Sequence, residues 1–110
     1  MLDYIESHLS SELTLGELTR IAGLSLHHFA RMFKRTVGMA PHRYVLERRL
    51  ERAKGMLRST GTSLVEISLS TGFSSQSHFT STFRRLVGPT PTEFQAGGRK
   101  QPPLTTGPGN

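Results

Sequence analysis

The chain has 110 residues, enough for one domain and too few for two ordinary ones. It carries 14 lysines and arginines against 8 aspartates and glutamates, a formal charge of +6, which suits a polyanionic partner: nucleic acid first, an anionic membrane surface second. The absence of cysteine excludes disulfides, thiolate zinc sites and a cysteine nucleophile, and it fits a reducing compartment.

The first stretch, residues 1–40, is predicted to be a helix-turn-helix subdomain. A short helix near residues 2–9 comes first, and residues that start or stop helices follow at Thr14, Glu17, Gly23, Ser25 and Gly38. The threonine and glutamate have capping-box spacing, the serine suits an N-cap, and each glycine can take the left-handed conformation that ends a helix. A short helix, a glycine turn and a longer helix over about 26–36 are the helix-turn-helix pattern.

The longer helix of this subdomain has two predicted faces. Its inward face is expected to consist of Leu26, Phe29, Met32 and Phe33, followed by Val37. Its exposed stripe, at positions i, i+3, i+4 and i+7, consists of His27, Ala30, Arg31 and Lys34. Hydrogen-bonding groups on such a stripe suit base edges, and the cations at the helix end, Lys34 and Arg35, suit phosphates.

A single long linker helix is predicted over residues 41–58. Its apolar stripe recurs at i, i+4, i+7 and i+11, as Leu46, Leu50, Ala53 and Leu57. Gly55 lies inside the helix and costs about 1 kcal/mol relative to alanine. A helix of this length spans roughly 27 Å at 1.5 Å per residue. That length is of the right order to separate two DNA-reading helices by one turn of B-DNA, ~34 Å.

The first subdomain recurs over residues 59–96. An offset of 49 relates Leu15, Glu17, Leu18 and Gly23 to Leu64, Glu66, Ile67 and Gly72. From there on, an offset of 50 relates Ser25, His28, Phe29, Phe33 and Gly38 to Ser75, His78, Phe79, Phe83 and Gly88. The one-residue step falls just after the glycine, where a turn can absorb it. The repeat therefore predicts one structural unit used twice.

The second copy predicts a second pair of capped helices, the longer one over about 76–87. Its capping residues are Ser63, Glu66 and Ser75. Its inward residues are expected to be Phe79, Phe83 and Leu86. Its outward groups are Gln76 near the start, then Ser77, Thr80, Ser81 and Arg84, with Arg85 completing a cation pair for phosphates.

The end of the chain adds a short helix at residues 90–94, so the fold class is all-α with about seven helices. The folded unit is expected to end near Gln95, and residues 97–110, rich in glycine, proline and threonine, to form a disordered tail. No apolar run approaches the ~18 residues needed to cross a bilayer, and no signal peptide follows Met1, so no membrane partner is expected.

Neither a metal site nor an enzyme is predicted. The histidines are His8, His27, His28, His42 and His78, and none has HExxH or His-x3-His spacing. Adjacent histidines diverge by about 100° on a helix and do not easily share an ion. No nucleophilic triad, paired carboxylates or phosphate-cradling glycine loop can be identified, so no catalytic residue and no cofactor is expected.

Two segments, TGFSSQSHFTSTFRRLVGPTPTEF (71–94) and RRLERAKGMLRST (48–60), carry a family likeness. They resemble the C-terminal signature and the linker helix of the DNA-binding domain of the AraC/XylS family of bacterial transcription regulators, and the likeness covers residues from about 2 to 95. It implies a bipartite module that binds double-stranded DNA, with the helices near 26–36 and 76–87 as recognition helices.

The resemblance also assigns roles to individual residues. Base contacts correspond to His27, Ala30 and Arg31 in the first unit and to Ser77, His78 and Ser81 in the second, beside Gln76. Phosphates would be held by backbone amides near Thr14 and Ser63 and by Lys34, Arg35, Arg84 and Arg85. Many family members carry a long side chain where Ser81 stands, so the first unit is expected to supply more of the sequence discrimination.

Family members usually have an additional effector-binding or dimerisation domain, and they activate transcription more often than they repress it. The chain is therefore expected to be a monomeric, cytoplasmic, nucleoid-associated fragment of a longer regulator, dimeric only through a missing domain; a short stand-alone regulator is the alternative. Two other functions compete with specific DNA binding. One is a protein-interaction module for a partner such as RNA polymerase, and the other is non-specific or RNA binding through charge.

Overall fold

The computed structural model describes residues 1–59 and 61–99, with only the backbone at residues 98 and 99, and this part of the chain is all-helical. Its seven helices are α1 (Leu2–Ser7), α2 (Leu15–Ala22), α3 (Leu26–Val37), α4 (Pro41–Arg58), α5 (Leu64–Ser70), α6 (Gln76–Val87) and α7 (Pro91–Arg99). The chain divides into two compact units between Glu51 and Arg52, inside α4. The predicted fold class and helix order are confirmed.

The first unit is built around six buried apolar side chains from α1 to α4. They are Ile5, Leu9, Leu18, Phe29, Phe33 and Val45. Its helix α1 is joined to α4 by polar contacts. Arg48 forms an ion pair with Glu6, with Nε and Oε1 3.0 Å apart. Arg49 donates hydrogen bonds to the carbonyls of Leu9 and Ser11, which follow α1, at 3.0 and 2.9 Å. These carbonyls have no partner within a helix, so the guanidinium satisfies them.

The second unit contains a row of aromatic rings. Phe73, Phe79, Phe83 and Phe94 contact one another in sequence at centroid distances of 5.2, 5.6 and 5.5 Å. All three contacts are edge-to-face, the arrangement that the ring quadrupole favours. Arg58, the last residue of α4, lies over Phe94 at 5.3 Å.

The predicted apolar stripe of α4, Leu46, Leu50, Ala53 and Leu57, is buried along its whole length.

The two predicted capping boxes differ in the structure. Ser63 accepts a hydrogen bond from the Glu66 amide, and the Glu66 carboxylate accepts one from the Ser63 amide, so this box is complete. Thr14 accepts the bond from the Glu17 amide, but the Glu17 carboxylate accepts the Tyr4 hydroxyl instead. The prediction of a full box at Thr14 was wrong, because an aromatic hydroxyl from α1 takes the carboxylate.

Three helix ends also depart from the sequence prediction. The first helix, α1, ends at Ser7, two residues before the predicted end. Gly23 ends α2 in the left-handed conformation at φ 71°, as expected. By contrast, α5 ends at Ser70 with Thr71 as its C-cap, and the left-handed Gly72 follows one position later. The last helix, α7, continues to Arg99, past the expected end near Gln95. A capping box between Thr90 and Glu93, which the sequence reasoning overlooked, starts α7. Of the predicted disordered tail, residues 100–110 lie outside the described residues.

Candidate nucleic-acid interface

The longer helix of the first unit, α3, begins and ends as the sequence predicts. Ser25 accepts a hydrogen bond from the His28 amide at 3.3 Å, and Gly38 follows the last helical residue. Phe29 and Phe33 anchor the helix, and they are only 4% and 6% exposed. The opposite side of α3 is thereby fixed outward.

The outward side of α3 holds the predicted residues together. His27, Arg31 and Lys34 are exposed, and Ala30 is half-buried between them. Arg35 is exposed beside Lys34 in the last turn, and α3 contains no acidic residue. Within the described residues, no other side chain pairs with His27, Arg31, Lys34 or Arg35. This surface therefore presents donors and positive charge that the described part of the chain leaves unused.

The predicted inward face of α3 includes two side chains that are exposed in the structure. Leu26 is 56% exposed and Met32 is 44% exposed, so neither belongs to the core. The helix α2, which packs against α3, has only eight residues and leaves both side chains uncovered. Met32 instead borders an open apolar groove of about 200 Å³ together with Leu2 and Phe33.

The corresponding helix of the second unit, α6, is capped by Ser75, which accepts a hydrogen bond from the His78 amide at 3.0 Å. Its exposed side chains are Gln76, Ser77, His78, Ser81, Arg84 and Arg85, and Thr80 is half-buried. No acidic residue lies on α6. Within the described part of the chain, the side chains of Gln76, Ser77, Arg84 and Arg85 contact no polar or charged partner. The predicted outward groups of this helix thus share its exposed side.

The inward side of α6 again differs in part from the prediction. Phe79 and Phe83 are fully buried as expected. Leu86 was expected in the core but is only half-buried, whereas Thr82, which the sequence reasoning overlooked, is 2% exposed. The methyl group of threonine lets it pack at a helix interior position without a large polar surface.

Two side chains of α6 have contacts that the sequence reasoning did not predict. The Ser81 hydroxyl donates to the carbonyl of His78 at 3.3 Å, so part of its hydrogen-bonding capacity is used within the helix. His78 contacts the ring edge of Phe73 at 5.4 Å, and its Nδ1 lies 3.4 Å from the Ser74 hydroxyl. The spacing of Ser74 and His78, four residues apart at a helix start, is the signal that could have revealed the second contact.

The helix starts at Thr14 and Ser63, predicted to face phosphates, are both exposed. The Ser63 amide is occupied by the Glu66 carboxylate, whereas the Thr14 amide lacks this partner because Glu17 binds Tyr4. Among the described residues, no group of three or more histidine, aspartate or glutamate side chains is arranged to hold a metal ion. No helix in that same part of the chain is long and apolar enough to cross a membrane.

Comparison with known proteins gives matches over most of the chain. A family model described as a helix-turn-helix domain matches residues 18–97. The probable transcriptional regulator LumQ of Photobacterium leiognathi is 41% identical over 93 residues, which are 84% of this chain and 38% of LumQ. The chain thus spans well under half the length of this relative.

Solved structures match as well. A transcriptional regulator of Chromobacterium violaceum with an AraC-type DNA-binding domain superposes with a TM-score of 0.80 at 38% identity, covering 92% of this chain and 89% of that one. The DNA-binding domain of AdpA, a global transcriptional factor, was solved in complex with a target DNA. It superposes with a TM-score of 0.86 at 26% identity, covering 94% of this chain and 93% of that one.

Proposed function

The chain belongs to the AraC family of helix-turn-helix transcription regulators, and we propose that it binds duplex DNA sequence-specifically through α3 and α6. The observation that carries the proposal is the repeated surface itself. Each helix is capped by a serine and anchored by two buried phenylalanines, and each exposes polar groups followed by a pair of cations. A helix with such a surface fits the major groove, where base edges carry a distinct pattern of donors and acceptors.

In the first unit, we assign base contacts to His27, Ala30 and Arg31. Arg31 has the chemistry to donate two hydrogen bonds to O6 and N7 of a guanine. Ala30, half-buried between the polar side chains, offers its methyl group to the methyl group of a thymine. His27 supplies an additional donor or acceptor at the start of the helix.

In the second unit, we assign base contacts to Gln76, Ser77, His78 and Ser81. Gln76 is suited to a bidentate contact with adenine. Ser81 occupies the position equivalent to Arg31 at the offset of 50, and its short side chain donates back to its own helix. We therefore expect the two units to contribute unequally to the discrimination between DNA sequences, with the first unit supplying more of it. Separate Arg31→Ala and Ser81→Ala variants test this assignment, and a larger loss of specificity for Ser81→Ala would contradict it.

We assign phosphate contacts to the cation pairs Lys34–Arg35 and Arg84–Arg85. Both pairs are exposed in the last turn of their helices. Backbone amides at the starts of α2 and α5, near Thr14 and Ser63, are further candidates. Of these two, Thr14 is favoured, because the Glu66 carboxylate already occupies the Ser63 amide.

For the whole regulator, we propose control of transcription, more often activation than repression, in the cytoplasm at the nucleoid. RNA polymerase is then a second partner of the full protein. We propose that the chain binds DNA as a monomer, because two recognition helices in one chain remove the geometric need for a second subunit. Dimerisation, where it occurs, is assigned to another part of the regulator. No enzymatic activity is proposed.

Selection of preferred duplexes from a random DNA pool at ~0.15 M salt tests the proposal. We expect a motif with two conserved blocks about 10 base pairs apart, as one helical turn requires. Binding without any sequence preference would replace the proposal with charge-driven association, because counterion release carries no sequence information. A chain that binds no duplex would instead be a protein-interaction module.

A further inference from the structure

The imidazole of His78 is held on two sides. His78 is the third residue of α6, and side chains at helix starts lean back towards the preceding segment. There its ring meets the edge of Phe73, with centroids 5.4 Å apart, and its Nδ1 lies 3.4 Å from the Ser74 hydroxyl. The side chain remains exposed in spite of both contacts. His78 is thus an oriented surface group.

The aromatic contact is with a rigid neighbour. Phe73 is 2% exposed, and its ring contacts Phe79, which is fully buried, edge-to-face at 5.2 Å. A buried ring in such a row has no room to change rotamer. The wall against which His78 rests is therefore fixed by the core of the second unit.

The equivalent histidine of the first unit has neither contact. His28 matches His78 at the offset of 50, and within the described residues its side chain has no hydrogen-bond or ring partner. The reason lies in the turns. Leu24 alone separates Gly23 from Ser25, whereas both Phe73 and Ser74 separate Gly72 from Ser75. The residue added to the second turn thus supplies a contact that the first turn cannot make.

The contact with Ser74 determines which ring nitrogen remains for DNA. When the hydroxyl donates to Nδ1, the neutral imidazole carries its proton on Nε2, which then acts as a donor. Nε2 has no partner among the described residues. A single donor fits guanine best, because guanine presents two acceptors, N7 and O6, in the major groove. Adenine presents N7 beside a donor amino group, thymine presents O4 beside a methyl group, and cytosine presents only a donor amino group.

We propose that Phe73 and Ser74 are positioning residues that orient His78, so that its Nε2–H reads a guanine in the DNA block bound by α6. This inference rests on the proposed function, since it names a base that the second unit selects. Among the base-contacting residues proposed for the second unit, it makes His78, and not Ser81, the residue that selects this guanine.

The test uses the selected duplex, with each guanine of the second block replaced in turn by 7-deazaguanine, which lacks the N7 acceptor. One replacement should weaken binding of the unaltered chain roughly fivefold, the usual value of one hydrogen bond. The same replacement should have little effect on His78→Ala. Ser74→Ala should lose most of the preference for that guanine, and Ser74→Thr, which keeps the hydroxyl, should restore it. His28→Ala is the matched control and should keep the preference.

A second readout needs no DNA. Nitrogen–proton correlation spectra of the free chain at about pH 8, where an ordinary imidazole is neutral, distinguish the two tautomers. We expect the Nε2–H fraction of His78 to be larger than that of His28, and Ser74→Ala to remove the difference. Indifference of a specifically bound chain to every 7-deazaguanine, or identical spectra of His78 and His28, would overturn the proposal. If no duplex is selected at all, the proposed function fails, and the spectra alone then decide whether Ser74 orients His78.

Discussion

The hydroxyl of Tyr4 donates a 2.6 Å hydrogen bond to Oε2 of Glu17, and this bond joins α1 to α2. The bond has two consequences. It leaves the capping box at Thr14 incomplete, so the Thr14 amide stays available to an anion. It also raises the pKa of Tyr4, because the carboxylate accepts a hydrogen bond from the protonated phenol and disfavours the phenolate.

Removing this hydrogen bond should destabilise the first unit. We expect Tyr4→Phe to lower the melting temperature by a few degrees, measured by circular dichroism near neutral pH. Tyr44→Phe is the matched control, since the Tyr44 ring packs against Phe33 and its hydroxyl has no hydrogen-bond partner among the described residues. An equal loss in both variants would mean that the hydrogen bond contributes nothing of its own.

The raised pKa of Tyr4 also predicts a pH dependence. A group with a higher pKa in the folded state contributes stability below its unfolded pKa, about 10 for tyrosine, and loses it as the pH rises through the folded value. The difference in melting temperature between the unaltered chain and Tyr4→Phe should therefore be constant up to about pH 9 and shrink above pH 10. A difference that grows with pH would contradict the assignment.

Arg49 should matter for stability far more than a surface arginine. Its Nε and Nη2 bind the carbonyls of Leu9 and Ser11, and burial lowers the pKa of its guanidinium. Because Arg49→Met removes these charged hydrogen bonds, it should lower the free energy of unfolding by about 2–3 kcal/mol. Arg43→Met, which breaks only an exposed ion pair with Glu47, should cost about 0.3–0.5 kcal/mol in the same urea titration. Similar costs for both would mean that the hydrogen bonds from Arg49 to the carbonyls of Leu9 and Ser11 contribute no more than an exposed ion pair.

Replacing either of two glycines by alanine should change the free energy of unfolding, with opposite signs at the two positions. Gly23 ends α2 at φ 71°, where a side chain is strained, so Gly23→Ala should destabilise the chain by about 1 kcal/mol. Gly55 lies within α4 with open space around its Cα, so Gly55→Ala should stabilise the chain by about 0.5–1 kcal/mol. Urea titration of both variants checks the signs, and a destabilising Gly55→Ala would mean that α4 needs the glycine.

Replacing either of two arginines of the proposed interface by alanine should weaken DNA binding in a different way. Arg31→Ala should cost roughly 1–3 kcal/mol of binding and relax the preference at one G·C pair, as expected for a lost bidentate contact. Arg84→Ala should weaken all sequences alike and lower the slope of log K against log salt by about 1. Fluorescence anisotropy with cognate and mismatched duplexes separates the two, and uniform effects of Arg31→Ala would remove its assigned role.

The sequence predicted the helices and their order because capping residues, glycine turns and a 3.6-residue period are local signals. It failed where the deciding partner is distant in the chain. Nothing near Glu17 in the sequence indicates that its carboxylate binds the Tyr4 hydroxyl. Periodicity predicted that Leu26 and Met32 are buried, but it carries no information on how little of the α3 surface its neighbours cover. The outward residues of α3 and α6 followed from the positions of the buried phenylalanines. The contact of His78 with Phe73 could not be predicted in this way, because it depends on how one added turn residue packs.

The central claim, that both recognition helices read bases, is tested most directly by competition with duplexes in which one selected block is scrambled at a time. Measured by anisotropy at ~0.15 M salt, each scrambled duplex should bind at least about tenfold more weakly than the intact one, and the block read by α3 should give the larger loss. If scrambling one of the blocks leaves the affinity unchanged, the helix bound to that block contacts only phosphates. The claim that both helices read bases is then contradicted.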